Sequence, residues 1–318
     1  HYLGIYIGKP SEPHVREVIE TSDCLLAIGY RPLEVTTGDF LASLPADTIH
    51  ARGHSVDVGD DNYQAVTLKE VLKGVIDAIP RITSRAPRPV AAPAVPRTHA
   101  DPSTDLTQAA YWQAMQGYLR EGDVLFVDNG TSYAVFGLKF PPKCTFVGSV
   151  NWGSIGYSVG ALLGTLTAAP ERRHILFVGD GSFQVTAQEL STILRHDHKP
   201  VIFLINNGGY TIERGYLGKT ETYNDIANWS YADLPKVFRR DTRARSFVVK
   251  TLKDLQDALS APNDMLIFVE SIMDRYDALA PVINGSNNGA ELDYGPAARS
   301  AAITSSGLSN YFAASEWP

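Results

Sequence analysis

His174-Ile-Leu-Phe-Val-Gly-Asp-Gly-Ser-Phe183 and, further on, Val201-Ile-Phe-Leu-Ile-Asn-Asn-Gly-Gly-Tyr210 are the stretches whose reading decides the fold. Each opens with a short apolar run, Ile175–Val178 and Val201–Ile205, of the length and β-branched content of a strand buried on both faces. Each then breaks into glycine and short polar residues. Between them Thr186–Arg195 has helical character. A strand, a polar turn, a helix and a second strand make a βαβ unit, which places both polar turns at the same edge of a parallel sheet.

That edge is where such sheets bind ligands. The glycines around Asp180 let the backbone come close to a ligand, and the helix that follows Gly179-Asp-Gly-Ser-Phe183 presents free N–H groups to an anion. Taken alone, a Gly-Asp-Gly turn is also what an ordinary strand-to-helix connection looks like. The second turn adds weight: Asp180 offers a carboxylate, Asn207 a side-chain carbonyl, and Gly208-Gly209 a backbone oxygen. Hard oxygen donors beside a phosphate are what octahedral Mg²⁺ requires.

Outward from this unit the alternation continues. Before it come a helix at Leu106–Leu119, a strand at Val124–Asp128, a helix-prone Ser132–Leu138, a strand near Thr145–Gly148 and a glycine-spaced helix at Ile155–Leu166. After it come Ala232–Phe238, a strand at Ser246–Val249, a helix at Leu252–Leu259 capped by Thr251, and a strand at Met265–Val269. The expectation is an α/β fold with a doubly wound parallel sheet over 104–272. Residues 84–103 are rich in proline and alanine and read as a linker. Residues 1–83 read as part of a smaller α/β domain: a helix at Pro13–Ser22, a buried strand at Cys24–Gly29, extended segments over Asp47–Val58, and a helix at Thr67–Ile79 with Thr67 as N-cap. The stretch 273–318, with Asn284-Gly-Ser-Asn-Asn-Gly289, reads as a loosely structured tail.

Composition narrows the classes. The net charge is −7, with no dense basic run, which argues against a nucleic-acid partner. No apolar run is long enough to cross a bilayer and no secretory pattern is present, so a cytoplasmic protein without membrane contact is expected. Cys24 and Cys144 have no metal-like spacing; buried free thiols are expected, with a disulfide as the alternative. His196-Asp-His198 falls in a helix-to-strand connection remote from the predicted active edge and reads as a solvated loop; His54 reads as structural. The chain starts at His1, directly before the strand-like Tyr2–Gly8, which suggests processing or a fragment of a longer polypeptide.

Gly179-Asp-Gly181, then 24 intervening residues, then Asn206-Asn207 resembles the signature of thiamine-diphosphate-dependent enzymes. Pro170-Glu-Arg-Arg173, Gly179-Asp-Gly-Ser-Phe-Gln184, Thr186-Ala-Gln-Glu189, Ile205-Asn-Asn207, Gly209-Tyr-Thr-Ile-Glu213 and Thr222–Trp229 resemble the pyruvate and indolepyruvate branch of the 2-oxo-acid decarboxylases. The resemblance covers about 1–272 and implies the thiamine diphosphate-binding fold: a diphosphate domain preceded by part of a middle domain.

It further implies thiamine diphosphate and Mg²⁺ as cofactors, with the metal on Asp180, Asn207 and the Gly209 carbonyl. Gly179, Gly181, Ser182, Phe183, Asn129, Thr131, Tyr210 and Ile212 would contact the cofactor or line its pocket. The Gly153 carbonyl would accept from the aminopyrimidine, and Ile155 would hold the cofactor bent; without the resemblance, Ile155 reads as plain core packing. Glu213 would be catalytic, taking part in decarboxylation of the 2-oxo acid and protonation of the resulting intermediate. The family's activating glutamate and paired histidines, which belong to a pyrimidine domain, have no counterpart here. The expected partners are therefore a pyrimidine-domain polypeptide, or the remainder of the same protein, and further copies in a homodimer or tetramer. A carboligase using the same cofactor and a non-catalytic relic are the alternatives.

Overall fold

The computed structural model describes residues 3–9, 11–38, 40–78, 101–216 and 219–279. The chain divides into two compact units, His1–Pro96 and Arg97–Pro318. Most of the proline-rich linker, and the tail beyond residue 279, lie outside the described residues.

The first unit contains α1 (Pro13–Glu20), β1 (Leu26–Ile28), α2 (Glu34–Thr37), β2 (Ile49–Ala51), β3 (Ser55–Val58), β4 (Asp61–Gln64) and α3 (Leu68–Ala78). Its sheet has the order β1-β2-β3-β4, parallel between β1 and β2 and antiparallel beyond. α3 begins at a capping box: the Glu70 amide donates to the Thr67 hydroxyl at 3.3 Å while the Thr67 amide donates to the Glu70 carboxylate at 2.8 Å. The segment expected as a buried strand is a correction. Ile28 is 51% exposed, and β1 is the edge strand of this sheet among the described residues. Cys24 is free but exposed, and Cys144 is free and half-buried, so neither thiol is in a core.

The second unit carries α4 (Gln108–Tyr118), β5 (Val124–Val127), β6 (Thr145–Gly148), α5 (Tyr157–Ala168), β7 (His174–Gly179), α6 (Asp180–Thr186), α7 (Glu189–Arg195), β8 (Val201–Asn206), α8 (Thr211–Tyr216), α9 (Leu234–Phe238), β9 (Arg245–Val249), α10 (Leu252–Leu259) and β10 (Ile267–Ile272). Its strands pair in the order β6-β5-β7-β8-β10-β9, every neighbour parallel. Side chains alternate between two cores. Leu125, Val127, Ile175, Phe177, Phe203 and Val269 face α4 and α10; Val124, Phe126, Leu176, Val178, Leu204 and Phe268 face α5 and α7. A period of two with apolar residues on both faces is why these strands read as continuous apolar runs. Phe177 and Phe203 stack at 5.5 Å between centroids, with Tyr111 edge-on to Phe203 at 6.4 Å.

Several boundaries differ from expectation: the helix expected over Thr186–Arg195 is replaced by α6 and α7, and the strand expected over Met265–Val269 runs Ile267–Ile272. Gly156 sits at φ +82°, a left-handed residue that cannot lie inside a helix, so α5 starts at Tyr157 rather than Ile155. The segment Ser132–Leu138 is a 3₁₀ helix over Thr131–Gly137.

The topology positions the site. From β5 the chain moves outward to β6, then crosses back to β7 on the other side of β5. Connections therefore leave β5 and β7 in opposite directions, and a crevice opens between their carboxyl ends. Asp128 and Asn129 follow β5, Asp180 follows β7, and Asn207 follows β8.

Candidate functional site

Asp180 is the centre of the arrangement. It is 1% exposed, and its carboxylate accepts from the Gly181 amide at 2.7 Å and the Gly209 amide at 3.0 Å. Burial pushes its pKa up to about 6, against the opposing pull of the Gly181, Gly209, Gly208 and Asn207 amides. Two sequence segments thus meet on one side chain. The amide oxygen of Asn207 is buried and has no hydrogen-bond partner. The Gly209 carbonyl accepts from the Thr211 amide at 3.1 Å and keeps a second lone pair.

The glycines here have physical reasons. A Cβ on Gly181 would lie 2.5 Å from the Tyr210 ring, and one on Gly209 would lie 2.1 Å from the Asn224 carbonyl oxygen. Tyr210 therefore closes over the Gly-Asp-Gly turn, and the backbone at 209 runs against that of 224. Gly179 ends β7 in extended conformation.

At the end of β5 the amide group of Asn129 has both its oxygen and its nitrogen buried without partners. The Asn129 carbonyl accepts from the Ser182 hydroxyl at 3.3 Å, which joins the β5 and β7 turns. Thr131 is buried at the start of the 3₁₀ helix. The loop before α5 is outward-facing: Gly153 is exposed at φ +62°, and Ile155 is 39% exposed. Ile155 is therefore not a core residue. Asp128, which carries no signal in the sequence pattern, holds this loop. Its carboxylate accepts from the Asn129 amide at 2.8 Å, the Gly156 amide at 3.2 Å, and both the amide and the hydroxyl of Ser158. It caps α5 from a neighbouring strand.

Phe183 follows directly on the Gly-Asp-Gly turn. Its ring is fully buried and packs edge-on against Tyr231 at 6.3 Å and Phe268 at 5.6 Å. The side chain belongs to the core and leaves only its backbone for a ligand. Tyr231 takes its hydroxyl contact from Gln184 at 2.7 Å. Burial first, and then the Asp180 charge, raise its pKa to about 12.

On the third turn, Glu213 is exposed and Ile212 half-buried in the first turn of α8. The next residue, Arg214, is 5% exposed. Its guanidinium donates to the Gly208 carbonyl at 2.8 Å, the Asn224 carbonyl at 3.1 Å and the Asp225 carboxylate at 2.7 Å. The Arg214 hydrogen bond holds the Asp225 carboxyl below the usual range. Nothing in the sequence marked Arg214 and Asp225 as a pair, since an Arg and an Asp this far apart in a loop region carry no periodic signal. Residues 274–279, expected to be loose, are docked here: Arg275 reaches Asp225 at 3.1 Å, and the Asp277 carboxylate accepts from the Gln108 amide at 2.6 Å.

The donor set fits a Mg²⁺-diphosphate. One carboxylate, one orphaned amide oxygen and one backbone carbonyl are hard donors that leave room for phosphate oxygens. Among the described residues no group of His, Cys, Asp and Glu forms a denser metal cluster, and no helix is long and apolar enough to cross a membrane. His196 and His198 lie between α7 and the start of β8, at the end of the sheet opposite this crevice.

Comparison with known proteins gives the following matches. Residues 128–265 match the family described as thiamine pyrophosphate enzyme, C-terminal TPP binding domain. Pyruvate decarboxylase isozyme 2 of Saccharomyces cerevisiae is 36% identical over 291 residues, covering 87% of this chain and 51% of that protein. Alpha-keto-acid decarboxylase of Mycolicibacterium paratuberculosis is 35% identical over 283 residues, covering 87% of this chain and 50% of that protein. The chain thus spans about half the length of these relatives. The structure of benzoylformate decarboxylase from Polynucleobacter necessarius superposes with a TM-score of 0.62 at 18% identity, over 86% of this chain and 52% of that one, a likeness of fold.

Proposed function

We propose that this chain, whose residues 128–265 match the thiamine pyrophosphate enzyme C-terminal TPP binding domain, supplies the diphosphate-binding half of a 2-oxo-acid decarboxylase, a lyase releasing an aldehyde and CO₂. The observation that carries this is the pairing of buried Asp180 with the buried, unpartnered amide oxygen of Asn207. A buried polar atom without a partner is costly unless a ligand completes it.

Asp180, Asn207 and the Gly209 carbonyl would hold Mg²⁺. The Asn129 amide, with Thr131 and Ser182, would bind the diphosphate side of the cofactor. Gly153, on the exposed loop, would accept from the aminopyrimidine, and exposed Ile155 would support the cofactor's bend. Bound thiamine diphosphate supplies the electron sink for cleavage of the carboxylate carbon–carbon bond. Glu213, exposed at the same edge, would deliver a proton from its carboxyl oxygen to the reacting carbon. Tyr210 and Ile212 would shield that carbon from water.

Residues contacting the pyrimidine would come from the remainder of such a protein or from a second polypeptide, in a dimer or tetramer; the half-length match to the relatives supports this. Two unpaired thiols support a reducing, cytoplasmic setting. The test is calorimetry of thiamine diphosphate binding with Mg²⁺ and with chelator, on the wild type and Asn207→Ala. Mg²⁺-dependent binding, lost in the variant, is expected. Binding that ignores Mg²⁺, or none at all, sinks the reading. Decarboxylation of a panel of 2-oxo acids, with and without a pyrimidine-domain partner, then identifies the substrate.

A further inference from the structure

The turn that brings Asn207 and Gly209 to Asp180 has little intrinsic reason to keep its shape. Gly208 and Gly209 both lie at positive φ, +68° and +128°, and consecutive glycines give the unbound turn many alternatives. Beside the Gly209 amide's bond to Asp180 and the Tyr210 amide's bond to the Asn224 carbonyl, Arg214 holds it. Its side chain is 2% exposed and pairs with Asp225, which is 45% exposed. The same guanidinium reaches the Gly208 and Asn224 carbonyls, and its other terminal nitrogen reaches the Thr211 hydroxyl at 3.3 Å. Thr211 in turn donates to the Arg275 carbonyl at 2.8 Å.

We propose that Arg214, paired with Asp225, is a positioning residue that presets the 207–211 turn for the divalent cation and aims Glu213 outward. The proposal rests on the Mg²⁺-diphosphate reading of the site. Three features support it. First, Arg214 engages the Gly208 and Asn224 carbonyls, the two backbone segments that meet at Gly209, whose own amide donates to Asp180. One terminal nitrogen, Nη2, meets these two carbonyls and Asp225 while the other, Nη1, reaches Thr211, and a single ammonium cannot occupy both places. Second, residues 213 and 214 are adjacent on α8 and so point about 100° apart. Anchoring buried Arg214 therefore fixes the direction of exposed Glu213. Third, a buried guanidinium close to a cation site would repel the metal unless neutralised, and Asp225 supplies the neutralising charge.

The test uses the 318-residue chain as wild type, R214K, R214M, D225N and D225E. Thermal melts by circular dichroism establish folding. Amide hydrogen exchange at Gly209 and Tyr210 is then measured without ligand, and calorimetry of thiamine diphosphate binding is run at increasing Mg²⁺. R214K and R214M are expected to exchange faster at these two amides and to need about 10- to 100-fold more Mg²⁺. D225N should weaken Mg²⁺ binding most at low salt, where repulsion is least screened, and D225E should restore it to within a few-fold of wild type. If R214M does not fold, R214K decides, because it keeps the stem and the charge. Unchanged exchange and unchanged Mg²⁺ requirement in a folded Arg214 variant overturn the proposal. Faster exchange in the variants, with no Mg²⁺-dependent binding even by wild type, overturns the cofactor reading instead and removes the positioning role with it.

Discussion

The two sheets of this chain are built on opposite principles. In the second unit, β5, β8 and nearly all of β7 and β10 are buried along their length. In the first, β4 is exposed throughout and β1 half-buried to exposed, and α3 buries none of its residues. Ile28, Val58, Tyr63 and Ile76 remain substantially exposed. Regular secondary structure, then, needs only local pattern, whereas a rigid ligand-binding edge needs strands locked from both faces. The turns carrying Asp128, Asp180 and Asn207 inherit their precision from that locked sheet.

The contrast is tested most severely in the cores. Phe177→Ala removes a ring buried among Trp112 and Phe203 and is expected to cost about 3–5 kcal/mol by urea denaturation. Ile76→Ala, on a residue 64% exposed, should change stability by no more than about 0.5 kcal/mol. Comparable losses would mean that the first unit's apolar surface is covered in solution.

Next in size is the site itself. Asn207→Ala should raise the Mg²⁺ concentration needed for thiamine diphosphate binding by about 100-fold or more, since a direct ligand outweighs a supporting residue. A pH series probes the same edge. The Asp180 pKa is raised to about 6 by burial, so the folded, ligand-free chain holds this proton more tightly than the unfolded chain. The associated stability is present at pH below the ordinary carboxylate range and is lost as pH rises through about 6. Mg²⁺ needs the carboxylate, so its affinity should fall about tenfold per pH unit below about 6 and level off above it. A flat profile between about pH 5 and 7 would show that Asp180 is not a ligand.

The smallest effects should be equal in the two units. Thr67 caps α3, and Thr251 caps α10 with the Asp254 amide donating to its hydroxyl at 3.2 Å. Both caps are made within one turn, so Thr67→Ala and Thr251→Ala should each cost about 1 kcal/mol. An effect confined to Thr251 would show that α3 contributes nothing to the cooperative fold.

Much of the second unit was legible because its signals are local. Apolar runs marked β5, β7 and β8, and β6 and α10 fall where pattern placed them. The Gly-Asp-Gly and Asn-Asn turns were legible as a pair because a βαβ unit forces them to one edge. The burial of the Phe183 ring was not legible, because a residue inside a ligand motif still obeys the helix period, and its direction took it into the core. The exposure of Cys24 and β1 was missed because an apolar run does not state whether anything covers it.

Local sequence is enough to set the strand–turn–helix units, the two caps, and which oxygen-bearing residues lie at the carboxyl edge. Periodicity and glycine chemistry act over a few residues and need no partner. How those residues are held is settled by packing in three dimensions: Asp128 capping α5 across the switch point, Asp180 tied to Gly209, and Arg214 joining the 208 and 224 backbones to Asp225. These contacts connect positions far apart along the chain or set in irregular loops, where no period exists to reveal them. They form because a buried carboxylate or guanidinium must find donors or acceptors wherever the packed sheet brings them.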